Sequence, residues 1–429
     1  MSSSVKPLVF KGLWYVSVTV FVLFSLIVIV RPFFIPQIAD HYFFQAQSWL
    51  NGRLDINNAP ANLIDVVTYK DNRYMPLGAF PTLLTLPFVA VLGDLYKQNI
   101  LLFFVVAVSV WAGWNIVKKI KPLFSSTHFW LVILFFLSTV FFSCAVQAEG
   151  AWYVAHIVTA CFILLAINET LGTRRGWLIG LFVGMAAATR FTSLFTFPFF
   201  IWLLSVNNPF SNEKKVIFEP YKKIILRLFL FGIGVAIPLS FYFLNNYLRF
   251  GSFLESGYNL AVLAEKDSLN LARAEGLFGL VHLPKNLYYF LLAIPEPYNS
   301  NWVGNPADAP FLQFPYLKPS PWGMSIFITT PAVIYIFKAG LRQPLVQACW
   351  MGIILCAIPI LTYYGVGWSQ FGYRYALDFT PFIWLLIVWV LREREISYKK
   401  PNLAFWLIIT GCIINLIGCF WLIDLRSSR

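Results

Sequence analysis

The chain has 429 residues, of which 59% are hydrophobic and 12% charged, against about 45–50% and about 25% in an ordinary soluble domain. It carries 32 Lys and Arg against 19 Asp and Glu, a net charge of +13. This composition excludes a soluble globular fold and points to a multi-span membrane protein, in which basic residues mark cytoplasmic loops rather than a nucleic-acid footprint.

Lys6 and Lys11 precede an apolar run that ends at about Pro36, too long for a signal-peptide core. It reads as a retained first span with a cytoplasmic N-terminus. Apolar runs place candidate spans at about 13–36, 99–117, 128–147, 152–168, 177–189, 191–206, 224–244, 321–338, 345–366, 371–391 and 402–423. The expected fold is therefore all-α, a polytopic bundle of about eleven spans forming one membrane domain over 1–429. With that count every basic cluster falls on the N-terminal side: Lys118 to Lys121, Arg174 with Arg175, Lys214 with Lys215, Lys222 with Lys223, Lys338 with Arg342, and Arg392 to Lys400. Membrane lipids are expected partners, and nucleic acid is not.

The first outer loop runs from 37 to 98 and opens on IADHYFFQAQSWLNGRLDI (38–56). Asp40 stands where the chain leaves the bilayer. It is a candidate general base toward an acceptor hydroxyl, or else the N-cap of a helix that ends at Gly52. His41 beside it is a candidate phosphate donor or an interface residue. VVTYKDNRYM (66–75) reads as two short strands around a Lys70–Asn72 turn. AFPTLLTLPFVAVLG (79–93) is apolar, but too short to cross and interrupted by Pro87, so it is laid along the membrane surface.

Glu149 and His156 are seven apart, two helical turns on one face, and suggest a site facing the bundle interior. The alternative is an interface acid and a hydrogen-bonded core histidine. Arg190 interrupts the apolar block 177–204, which reads as a hairpin of two short helices with Arg190 near its tip. A guanidinium at membrane depth needs a partner or a task. Arg190 has no local acid, whereas Arg374 has Asp378 four residues on, an ordinary helical ion pair. Either arginine could clamp a phosphate. A second outer loop, 245–320, contains interfacial segments at 276–297, with Tyr288, Tyr289 and Trp302 at headgroup level.

The six cysteines show no C-x-x-C and no zinc spacing, so core packing is their expected role. Glycine-rich phosphate loops, H-E-x-x-H and G-x-S-x-G are absent. No inner loop has room for a nucleotide-sugar domain, so an outward-facing site draws on a membrane-borne donor.

Several segments carry a resemblance: ADHYFFQAQSWLNGRLDI (39–56), YKDNRYMPLGAFPTLLTLPFVAVLG (69–93), GWLIGLFVGMAAATRFTSLFTFPFF (176–200), NNYLRFGSFLESGYN (245–259) and GWSQFGYRYALDFTPFIWLL (367–386). In order and spacing the chain resembles the C-type superfamily of polytopic glycosyltransferases. The likeness is greatest to the bacterial branch related to protein mannosyltransferases and aminoarabinose transferases. The resemblance implies a polyprenyl-phosphate-linked sugar donor, and a lipid, glycan or protein acceptor. It implies transfer with inversion on the outer face of the plasma membrane. It matches Asp40 to the family's first-loop catalytic acid, and it places Arg374 and Tyr375 against the lipid phosphate. His41 stands where many relatives have a second acid, and Tyr74 and Met75 stand where some have an acid–lysine pair. A divalent cation on Asp40 and Glu149 therefore stays open. The rival function is a transporter or flippase of a lipid-linked saccharide.

Overall fold

The computed structural model describes residues 40–147, 150–213, 215–260, 274–299 and 312–427. The expected first span at 13–36, Glu149 and Trp302 lie outside them. The fold is mainly helical, with two small two-stranded sheets.

Helix α1 (His41–Leu50) follows Asp40 directly. Strands β1 (Val67–Tyr69) and β2 (Asn72–Tyr74) pair antiparallel with Tyr69 opposite Asn72. Lys70 and Asp71 both adopt positive φ, 47° and 65°, as the tightest hairpin turns require. The loop is firmly anchored. Arg73 donates to the carbonyls of Ala59 and Pro60, each at 2.8 Å. Arg249 Nη1 donates to the Met75 carbonyl at 2.7 Å, and the rings of Tyr69 and Tyr74 meet Phe250 edge-on.

Helix α2 (Phe80–Leu92) has 13 residues, about 20 Å of rise against a hydrocarbon core of about 30 Å. Next come α3 (Gln98–Ile120), α4 (Ser126–Leu137), α5 (Val140–Val146), α6 (Ala151–Thr170) and α7 (Gly176–Thr189). A 3₁₀ turn over Phe191–Thr196 leads into α8 (Phe197–Ser205), followed by α9 (Tyr221–Phe250). Beyond it the chain forms a short α10 (Leu283–Leu287), then β3 (Glu296–Asn299) and β4 (Leu312–Lys318), which pair antiparallel. Helices α11 (Ile326–Thr329), α12 (Pro344–Leu361), α13 (Thr380–Leu391) and α14 (Leu403–Ser427) complete the chain.

Five of these helices, α3, α6, α9, α12 and α14, are long and apolar enough to cross a membrane, and α4 with α5, bent by 57°, would make a sixth. The chain is thus a helical membrane protein. The remaining expected spans are built differently. Residues 321–338 form the four-residue α11 and a 3₁₀ helix over Pro331–Lys338, and 371–391 form a 3₁₀ turn over Arg374–Asp378 followed by the 12-residue α13. Pro331 and Pro381 explain the breaks, because proline starts a helix well and cannot continue one.

Helix α6 is the most enclosed of the long helices. The core around it is dense in aromatic residues, including Tyr153, Phe135, Phe141, Phe382 and Trp384, all fully buried. All six cysteines are free thiols. Helices α7 and α9 touch backbone to backbone: a Cβ on Gly180 would lie 2.0 Å from the Phe231 carbonyl oxygen.

The basic loops gather at one end of the bundle. Lys119 donates to Asn168 Oδ1 at 2.7 Å, and Lys121 to the Arg392 carbonyl at 2.6 Å. Arg174 bonds the Asn207 carbonyl and Glu219, joining the start of α7 to the end of α8. The 177–204 block is therefore a hairpin. Gln343 reaches Asn212 at 3.0 Å. Helix α3 runs from the Asp40 end to this basic end.

Candidate functional site

Asp378 is the node of the buried polar network. It closes the 3₁₀ turn ahead of α13 and is fully buried. Arg190 Nε donates to both of its oxygens, at 2.8 and 3.0 Å. Thr192 Oγ1 donates at 2.6 Å, and His156 Nδ1 lies 3.2 Å away. Three side chains from two regions, making four contacts, thus satisfy one carboxylate, as a buried charge demands. Arg190 reaches it because the chain turns extended at that residue, φ −139° and ψ 106°, between α7 and the following 3₁₀ turn. With Asp378 accepting at Nδ1, His156 carries its proton there and its lone pair on Nε2. That Nε2 is buried and makes no hydrogen bond.

The expected pairing of the two arginines is reversed. Arg374 does not bond Asp378, because in a 3₁₀ turn residues four apart diverge by about 120° rather than stacking. Arg190 takes the acid instead. Arg374 is buried, and its Nη1 donates to the Trp368 carbonyl at 2.9 Å and to Gln370 Oε1 at 3.1 Å. Its Nε has no partner. Among the described residues its Nη2 makes no hydrogen bond and no acid pairs with it. The guanidinium sits over the rings of Tyr153 and Tyr375, 5.1 and 5.2 Å from their centroids. Arg190 lies 5.5 Å from the Tyr375 ring, and His156 is 5.7 Å from it. One tyrosine therefore touches both arginines and the histidine. Arg374 is pinned on one side, and its Nε–Nη2 edge, the geometry that forks a phosphate or carboxylate, makes no hydrogen bond.

Asp40 sits at the rim. It is 6% exposed and stands at the N-cap of α1, where the Phe43 amide at the capping position acts on it but no capping hydrogen bond closes, and its Oδ1 has no partner. Burial pushes its carboxyl up from an ordinary 3.8 to about 7, partly offset by the Phe43 amide and the charge of Lys97. Neither arginine adjoins it. Arg190 acts on Tyr42 and Tyr258 instead. Asp40 has Lys97 and Tyr96 as its charged and titratable neighbours, whereas Tyr42 has Arg190 and Tyr258. His41 is a packing residue: its Nε2 lies 2.7 Å from the Ile64 carbonyl and its ring meets Trp152 at 6.0 Å. An aromatic path, His41, Trp152, Tyr153, thus leads from the rim to Arg374.

The structure therefore brings together His156, Arg190, Arg374 and Tyr375, and holds Asp40 and His41 apart from them, His41 linked only through Trp152 and Tyr153. Among the described residues no group of three His, Cys, Asp or Glu could hold a metal. Asp40, with Lys97 as its charged neighbour, does not by itself fit a cation, and no step below uses one. Two residues were missed in the sequence. Thr192 shares the Asp378 carboxylate, and Gln147 is fully buried with neither side-chain atom bonded. An amide closing the apolar run VFFSCAVQ was the available signal for Gln147.

No family model, curated protein or solved structure matches the chain.

Proposed function

We propose that the chain is a membrane glycosyltransferase of the C type, moving a sugar from a polyprenyl-phosphate donor to an acceptor with inversion. About eleven spans carry the N-terminus and the basic loops on the cytoplasmic side of the plasma membrane, and the Asp40 end opens outward. The observation that carries this reading is Arg374: a buried cation anchored at Nη1, boxed by tyrosines, with an unpaired Nε–Nη2 edge. A phosphate monoester or diester is the ligand such an edge fits.

In the proposed reaction the Asp40 carboxylate removes the proton of the acceptor hydroxyl. The acceptor oxygen forms a bond to the anomeric carbon while the carbon–oxygen bond to phosphate breaks. The electron pair leaves with the polyprenyl phosphate, and the proton ends on Asp40. Arg374 stabilises the charge growing on the leaving phosphate. The terminal nitrogens of Arg190 are free to assist, because Asp378 engages only its Nε. A carboxyl with a pKa of about 7 is suited to the base role, since it is substantially ionised at neutral pH yet still holds a proton well. This reading requires the sugar and acceptor to lie between the Asp40 base and the leaving group held by Arg374.

The test is transfer in nanodiscs from undecaprenyl-phosphate-linked hexoses to an acceptor extract, with wild type and Arg374→Ala. Turnover by wild type and its loss in the variant support the reading. Equal turnover by both sinks it.

A further inference from the structure

We infer that Gln147 is a specificity-determining residue of this site, its carboxamide donating to and accepting from neighbouring hydroxyls of the donor sugar. The inference rests on the reading above and adds the group that the site recognises beside the phosphate.

Gln147 ends α5 where the chain turns toward α6, and its carbonyl accepts from the Gly150 amide at 3.5 Å. Its side chain is fully buried, and both Oε1 and Nε2 lack partners. Native folds seldom leave both ends of a buried amide unpaired, and an apolar side chain of the same length would fill the space without that penalty.

Its surroundings indicate what it meets. One turn back, Cys144 lies within the influence of Arg374 and Arg190. Just ahead, Tyr153 carries Arg374 over its ring. On α6, His156 Nε2 and Thr159 Oγ1 are also buried and unpaired. The junction thus offers an unpaired guanidinium edge, an imidazole acceptor, a hydroxyl and an amide that can both donate and accept. A phosphate uses donors alone. The Gln147 oxygen and His156 Nε2 need donors in return, and a hydrocarbon carrier supplies none. Hydroxyls beside the phosphate do. Two guanidinium groups against one carboxylate leave an excess of positive charge, which matches a phosphate and disfavours an ammonium group. The structure therefore points to a neutral, hydroxylated sugar.

The experiment measures the thermal stability of the full chain in nanodiscs. It is run without lipid carrier, with undecaprenyl phosphate, and with undecaprenyl-phosphate-linked glucose, galactose and mannose. Wild type should gain more from at least one sugar-linked carrier than from the bare one. Gln147→Met should keep the bare-carrier gain, lose the extra, and have a higher Tm than wild type when empty. A variant that keeps the extra gain, or fails to fold, overturns the role of Gln147 and leaves the transfer reading standing. So do equal wild-type gains from bare and sugar-linked carriers. Wild type that responds to no carrier overturns the transfer reading as well.

Discussion

Replacing Asp40 by Asn removes a charge that the fold holds at a disadvantage. Asp40 is 6% exposed and its carboxyl is raised from 3.8 to about 7. The folded state therefore binds a proton that the unfolded chain has already released. By linkage the wild-type protein loses stability as pH rises through this window, and the loss levels off above about 7. Its full extent is about 4 kcal/mol, and roughly half or a little more of it falls between pH 5 and pH 8, about 2–3 kcal/mol. Asn carries no such dependence. Its amide must find an acceptor, at about 1–3 kcal/mol, but that contribution does not change with pH. The readout is therefore a difference of differences: unfolding in detergent, wild type against Asp40→Asn, at pH 5 and pH 8. The variant should gain about 2–3 kcal/mol on wild type over that range. Its turnover should fall by about 10²–10⁴-fold, the usual contribution of a general base. Wild-type turnover should itself rise with pH through about 7, opposite to the stability trend. Parallel stability curves would remove the raised pKa from the argument, and wild-type turnover in the variant would remove the base.

Asp378→Asn leaves Arg190 without its carboxylate and should destabilise the protein by about 3–5 kcal/mol. Adding Arg190→Gln should recover much of that loss, and thermal unfolding of the single and double variants checks it. Arg374→Lys keeps the charge but removes the fork, so undecaprenyl phosphate should bind at least about tenfold more weakly, measured by carrier titration. Gly180→Ala drives a methyl group into the Phe231 carbonyl and should lower stability by about 1–3 kcal/mol without changing carrier affinity in the folded fraction.

Local features were the most legible in the sequence. The hairpin turn read at Lys70–Asn72, which the structure closes over Lys70 and Asp71, the helix after Asp40 and the break at Arg190 follow from turn chemistry and from a charge inside an apolar run. The grouping of basic loops at one end follows from the same charge pattern. Segments at 321–338 and 371–391 read as spans because hydropathy registers apolar length but not whether the backbone stays α-helical. Proline and short 3₁₀ turns divided them. The same effect reversed the two arginines: a four-residue spacing marks an ion pair only where the helix has 3.6 residues per turn. The β3–β4 pair was missed because its strands are separated in sequence and paired only in space. Asp378 was seen only as a local partner of Arg374, since its contacts with His156 and Arg190 span 222 and 188 residues.

Buried polar atoms without partners occur at both ends of the bundle, Arg174 Nε and Gln343 Oε1 among them at the basic end, so it is the pairing of charged groups that distinguishes the candidate site. Asp40 Oδ1, Gln147, His156 Nε2 and Arg374 Nε are all buried without partners, and each such group destabilises the fold by about 1–3 kcal/mol. If they served only packing, apolar replacements would stabilise the protein and leave nothing lost. The charged groups at the basic end are treated differently: Glu219 pairs with Arg174, Lys223 and Arg227, and Glu169 with Arg175. One end of the same bundle thus has its charges matched locally, while the other holds a raised carboxyl and an unpaired guanidinium edge apart from each other. Strain of this kind persists where a bound partner completes the network. An anion with hydroxyls attached is the partner that would satisfy the donors of Arg374 and the acceptors of Gln147 and His156 together.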